Sequence, residues 1–273
     1  MGQAAAPARL DDAMIGAGLL AAGANVIMQL AHPGVGYGVY ESRVDSGNLF
    51  KHPIKRNRTT ITYLAVAALG SDEERAAYRE AVNVSHRQVR STEQSPVRYN
   101  AFDPKLQLWV AACLYRGVED VYEAFVGPLE GEKAEEIYRH SAVLGTTLQV
   151  KEEMWPADRA AFEKYWNAAL DEVSIDDTVR EYLMGIADLR FLPKIVSRAL
   201  GPVNRFLTTG FLPAKFRQEM KLDWTARDQR RFEKVLKAVS VLVRLSPKPL
   251  REFPYNAYLA DFRRRLRTGR PLV

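Results

Sequence analysis

Apolar residues recur every three to four positions along most of this chain, and no stretch of any length alternates apolar with polar side chains. The first spacing marks helices with one buried face; the second, missing pattern would mark half-buried strands. An all-helical chain is therefore predicted. Its first helix is expected over about residues 11–31 and is halted by His32-Pro33-Gly34, since proline cannot continue the backbone ladder and glycine admits left-handed turns. A Gly- and Tyr-rich segment follows as a loop or short helix up to Pro53, and residues 59–69 read as the next helix. Ser71 with Glu74 is a capping box, so a helix starts at Asp72 and is predicted to run to about Val89. Asp103-Pro104, an N-cap followed by proline in the first turn, opens a long helix to about Phe125, closed by Gly127-Pro128. Further helices are predicted at about 131–144, 157–172, 176–188, 193–208 and 226–245. Pro247 and Pro249 then interrupt the chain before a last helix near 255–268. No repeat, low-complexity tract or linker divides the pattern, so one helical domain over 1–273 is expected.

Composition changes this picture little. The chain is 273 residues long, enough to bury a substantial core, and its 47% apolar and 26% charged residues are ordinary for a folded soluble protein. The net charge of +6 is dispersed except in a basic C-terminal helix, 250–273, where Arg263, Arg264, Arg265, Arg267 and Arg270 crowd together. That tail reads first as a solvated helix end, with contact to acidic lipid or a partner as the alternative. No basic patch is interleaved with aromatics, so no nucleic-acid partner is expected. Cys113 is the one cysteine; this rules out an intrachain disulfide and cysteine-based metal sites and fits a cytoplasmic location. Within LWVAACLY it reads as a small core residue. The uncharged run from Ala13 to Ala31 has about the length of a membrane span. Asn25, Gln29, Gly16, Gly18 and Gly23 interrupt it, and the reading favours a buried core helix over a membrane-associated helix or a signal peptide.

The candidate chemistry centres on His86. Tyr78, Val82, His86 and Val89 fall at i, i+4, i+8 and i+11, one stripe of a helix, while Arg75, Arg79 and Arg87 lie off it. The imidazole is expected to face the interior, as a metal or haem-iron ligand or as a satisfied core histidine. Arg58 and Thr62, four residues apart, share a helix face. A guanidinium there suits an acidic cofactor group or developing negative charge, and a hydroxyl suits a bound oxygen or water; an exposed arginine and a capping threonine are the plain alternative. Arg90, one turn beyond His86, suits a carboxylate or propionate, or equally the surface. His32 reads as a helix C-cap, and His52 and His140 as exposed. Glu136 and His140 have chelating spacing, but no second carboxylate–histidine pair accompanies them, so a di-iron bundle is unsupported. No hydrolase, zinc-protease, phosphate-loop or dinucleotide motif occurs in its structural context.

Several ordered segments carry a family resemblance: LAHPGVGYGVYESR, then Arg58, Thr62 and Tyr63, then His86 through Arg90. Tyr99-Asn100-Ala101-Phe102-Asp103-Pro104, Trp109-Val110, EEIY, Trp155-Pro156 and LPAKFRQEMKLDW follow. In this order, over about residues 12–245, the chain resembles the oxygenase family that includes the fungal MpaB enzymes and the catalytic domain of bacterial latex-clearing (rubber) oxygenases. The resemblance implies an all-α fold with a globin-like core and haem b held by a proximal histidine, with an arginine and a threonine nearby. Residue by residue, His86 matches the iron ligand, and Arg58 and Thr62 match the polar pair. Rubber oxygenases place a lysine just before that threonine, where this chain has Ile61, and their catalytic-base glutamate has no secure match, Glu41 being nearest in sequence. Ser91 also stands where the family pattern favours glycine. Polyisoprene cleavage is therefore not expected. The implied activity is a haem b-dependent oxygenase or oxidoreductase that takes dioxygen and an apolar small molecule, prenyl or lipid-like. A non-catalytic haem- or ligand-binding protein, and a haem-free oxidoreductase of the same fold, stay open, as does peripheral membrane contact.

Overall fold

In a computed structural model that describes residues 9–273, the described residues form helices and no β-strand; an isolated antiparallel bridge pairs Arg90 with Asn100. The α-helices are α1 (Ala22–Leu30), α2 (Pro33–Tyr40), α3 (Pro53–Leu69), α4 (Asp72–His86), α5 (Pro104–Phe125), α6 (Gly131–His140) and α7 (Val143–Thr146). They continue as α8 (Arg159–Ala169), α9 (Asp177–Ala187), α10 (Lys194–Phe211), α11 (Ala214–Glu219), α12 (Ala226–Leu245), α13 (Lys248–Arg251) and α14 (Tyr255–Thr268).

The N-terminal run is buried but is not one helix. Two 3-10 turns, Leu10–Ala13 and Gly16–Ala21, precede α1. At Gly16 the backbone meets that of residues 251–253, and an added Cβ would sit 1.6 Å from the Phe253 carbonyl oxygen. The polar residues of the run are satisfied internally: Asn25 Nδ2 donates to the Cys113 carbonyl (2.6 Å), and Gln29 Nε2 to Asn25 Oδ1 (2.6 Å). Among the described residues no helix is long and apolar enough to cross a membrane.

His32 does not close the first helix; it opens the second. Its Nδ1 accepts from the Gly34 amide (3.1 Å), so it is the N-cap of α2, with Pro33 in the first turn. The Gly- and Tyr-rich segment is thus a true helix. Helix α3 begins at Pro53, six residues before the apolar periodicity becomes visible, because its first turns are polar. Helix α4 starts at its capping box as expected but ends at His86 rather than near Val89. There the backbone leaves the helix to pair with the segment before α5, Ser91 N donating to Tyr99 O and Ala101 N to Val89 O, each at 2.9 Å. The predicted 131–144 helix is split between α6 and α7 at Ser141, whose hydroxyl donates back to Ile137 O (2.8 Å). Helix α10 runs past its predicted end to Phe211 and carries Pro202 inside it, while α11 and α13 are short helices that periodicity does not mark.

Helix α5 is the centre of the core. Its Trp109 stacks on Trp166 of α8 (5.3 Å, 14°) and its indole N–H donates to Gln29 O (3.0 Å). Cys113 is fully buried beside it, and burial holds its thiol well above the usual range, so it is an inert core residue. A second apolar cluster joins Ile15, Val121, Phe125, Ile137 and Val243 where α12 covers α5. Helix α14 packs along α3 and is fixed to α4 by Phe262 edge-on to Tyr78 (5.7 Å) and by Arg263 paired with Glu74 (2.6 and 3.1 Å).

Candidate functional site

Helices α2, α3, α4, α5 and α7 and the loop 42–48 enclose a cavity of about 300 Å³. Much of its wall is apolar, with Val35, Val39, Leu64, Val82, Leu106 and Val110 on four different helices. The first turns of α3 contribute Lys55, Arg56, Thr59 and Thr60 to the polar lining, and Gln29, Asn48, Asn100 and Gln107 add to it from elsewhere. Two cationic side chains therefore line the cavity and no acidic side chain does.

The stripe of α4 faces this space: Tyr78, Val82 and His86 line it, followed by Val89 just past the helix end. The His86 ring meets Phe102 edge-on (6.1 Å, 85°), and its Nδ1 is buried with no hydrogen-bond partner. Burial first, and then the charge of Arg56, push its pKa down to about 4. The imidazole is thus neutral at pH 7, and one of its two ring nitrogens carries an unprotonated lone pair. Arg56 is itself desolvated, which lowers its pKa, and the ionisable groups acting on it are Tyr182 and Tyr78 rather than any carboxylate. The cavity tyrosines are pinned: Tyr63 donates to Leu144 O (2.6 Å) and Tyr78 to Thr59 O (2.7 Å). Burial raises both phenols far above neutral pH, so neither is an acid or base for chemistry there.

The other residues expected at a site are dispersed. Arg58 and Thr62 are not among the residues lining the cavity. Two positions along a helix turn the side chain by about 200°, so a helix that shows Arg56 and Thr60 to the cavity points Arg58 and Thr62 away. Arg58 Nε is buried without a partner, and Thr62 is 4% exposed. Arg90 is exposed. Glu41 accepts hydrogen bonds from Ser95 Oγ (2.6 Å) and Tyr99 OH (2.7 Å), and only Tyr99 reaches the cavity. His52 Nε2 lies 2.8 Å from Asp45, and His32 Nε2 lies 3.1 Å from Glu172. Among the described residues no group of three or more His, Cys, Asp and Glu side chains is placed to hold a metal ion, Glu136 and His140 included. Sequence reasoning missed Lys55, Arg56 and Thr60. Arg56 and Thr60 have the same spacing as Arg58 and Thr62, so spacing alone does not choose between the two pairs.

Residues 13–241 match the family model described as ER-bound oxygenase mpaB/B′/rubber oxygenase, catalytic domain. The chain belongs to this oxygenase family. The family match ends within α12, yet Val273, at the far side of α14, also lines the cavity, so part of the wall lies outside the shared segment. Two relatives, from Mycobacterium bovis and Mycobacterium tuberculosis, are each 56% identical over 255 residues, covering 93% of this chain and all of each relative; both are described as uncharacterised proteins. No solved structure matches the chain.

Proposed function

We propose that the chain is a haem b-dependent oxygenase that acts with dioxygen on an apolar small molecule, prenyl or lipid-like. The observation that carries this reading is His86: neutral, on a cavity wall, with a buried ring nitrogen that no protein group satisfies. A buried polar atom left without a protein partner is a place that a ligand or an ordered water completes, and His86 is the one imidazole among such atoms of the described residues. The donor set fits a porphyrin. A metal held by protein side chains alone needs three or four of them, and the described residues offer no such group, whereas haem brings its own ring nitrogens and would ask the protein for one imidazole, which His86 would supply. Lys55 and Arg56 suit its acidic side chains.

When bound, haem would supply an iron that binds and activates dioxygen. In this reading His86 holds the cofactor, and the polar pair beside it is Arg56 and Thr60 in place of Arg58 and Thr62. Arg56 carries a fixed positive charge toward the cavity, and Thr60 offers a hydroxyl. The apolar walls from α2, α4 and α5 hold the substrate and exclude water. Arg90, being exposed, is left out.

The test is the visible spectrum of the purified protein reconstituted with haem b. A Soret band is expected, and in His86→Ala it is expected to be lost or shifted while the far-ultraviolet circular dichroism is kept. No band, or one indifferent to His86→Ala, overturns the haem assignment. A normal band with no oxygen uptake on any prenyl or lipid pool would instead favour a binding protein.

A further inference from the structure

Helix α12 carries a face that the rest of the described chain leaves bare. Phe232 and Val243 point inward and are 4% and 8% exposed, whereas Val241, Leu242 and Leu245 are 51%, 67% and 79% exposed. At about 100° per residue those three side chains fall within one arc of the helix. Beyond Pro247 the chain adds Leu250 and Phe253, 61% and 58% exposed. Five large apolar side chains within thirteen residues (241–253) are thus given to solvent, which isolated surface leucines do not explain. Exposed basic residues border them: Lys234 and Lys237 one to two turns earlier, Arg244 within the stretch with its Nε donating to Phe125 O (3.3 Å), and Lys248 after it, 3.5 Å from Glu252 and 3.9 Å from Asp12.

We propose that this end of α12, with α13, is a docking surface for an anionic phospholipid membrane. Apolar side chains flanked by lysine and arginine match the layered chemistry of a bilayer surface, with acyl chains below and negative headgroups around. A second copy of the chain is the poorer occupant, because a two-fold contact would bring two basic rims together. Of the two segments that look suited to lipid in the sequence, one is buried and the other is partly ion-paired. The run 13–31 packs in the core, and in the basic tail Arg263 pairs with Glu74 while Arg264 and Arg265 pair with Asp261. No helix of the described residues is fit to span the bilayer, so the contact is peripheral. It would hold the protein where apolar molecules are concentrated, and it stands whether or not the cavity binds haem.

Flotation of the whole protein with phosphatidylcholine vesicles, with and without phosphatidylglycerol, tests this at low and high salt. Binding is expected to the anionic vesicles only, and to weaken as salt rises. Leu242→Asp with Leu245→Asp is expected to abolish it. Lys234→Glu with Lys237→Glu is expected to reduce it by at least roughly thirtyfold. All four positions are exposed, and unchanged thermal melts would certify that the variants fold. Failure to float with anionic vesicles, or flotation untouched by either pair, overturns the proposal. So does a concentration-dependent dimer in sedimentation that the leucine variants dissolve in the absence of any lipid binding.

Discussion

Arg56 and His86 line one cavity from two helices, and the charge of the first helps hold the second neutral. Burial is the larger cause, but the arginine acts in the same direction, because an imidazolium beside a guanidinium would be a second uncompensated cation. A neutral ring is the form that binds a metal, so the residue that would face an acidic cofactor group also keeps the ligand ready.

The first consequence is a pH dependence. His86 has a folded pKa of about 4 against an ordinary 6.5. Between these values the unfolded chain binds a proton that the folded chain refuses, so stability is present above pH 6.5 and is lost as pH falls toward 4. The loss attributable to this group is at most roughly 3 kcal/mol. Urea unfolding at pH 7 and at pH 4.5 is expected to show a smaller difference in His86→Gln than in the parent; an equal difference would mean the ring is not buried neutral.

Removing the arginine charge should move the histidine partway back. In Arg56→Gln the His86 pKa, followed by proton NMR of the ring, is expected to rise yet stay below 6.5, since burial persists. Arg58→Gln, whose side chain does not line the cavity, is expected to leave it in place. Equal shifts in both variants would put the two arginines on the same footing.

The two threonines should likewise separate. Thr60→Val removes a cavity hydroxyl and is expected to change the spectrum of the haem-reconstituted protein and its oxygen affinity. Thr62→Val alters a residue only 4% exposed and outside the cavity; it is expected to change the unfolding midpoint by about 1 kcal/mol in free energy and leave the spectrum alone. The reverse pattern would return the site to Arg58 and Thr62.

Val273 tests the wall that lies beyond the family segment. Val273→Asp puts a carboxylate against the cavity and is expected to weaken binding of a prenyl alcohol, measured by calorimetry, about tenfold or more. Unchanged affinity would mean the wall near Val273 does not touch the ligand.

Gly16→Ala addresses the fold rather than the site. The new methyl would lie 1.6 Å from the Phe253 carbonyl oxygen, and backbone on both sides must move. A loss of about 3 kcal/mol is expected in chemical unfolding. A near-neutral result would show that residues 251–253 shift freely.

Helix starts were legible where Ser or Asp caps them, but not at α2, where the cap is His32. Ser71, accepting from Glu74 N, and Asp103, accepting from Lys105 N, each satisfy an amide that the helix leaves open, and α4 and α5 begin at those places. Periodicity did less well where packing sets the path. Nothing local announces that Gly16 will meet Phe253, which breaks the N-terminal run into turns. Nothing local ends α4 at His86 either; the pairing of residues 89–91 with 99–101 does so across an intervening loop.

By itself the sequence determined that the chain is helical, where its capped helices begin, and that Tyr78, Val82 and His86 form one inward stripe. Apolar neighbours mark that stripe, so burial has one choice. In RNRTTIT they do not: polar residues sit on every side of the helix, and Arg56–Thr60 and Arg58–Thr62 are equivalent by spacing. Only the tertiary structure, by packing α3 between α4, α7 and α14, decided which pair turns toward His86.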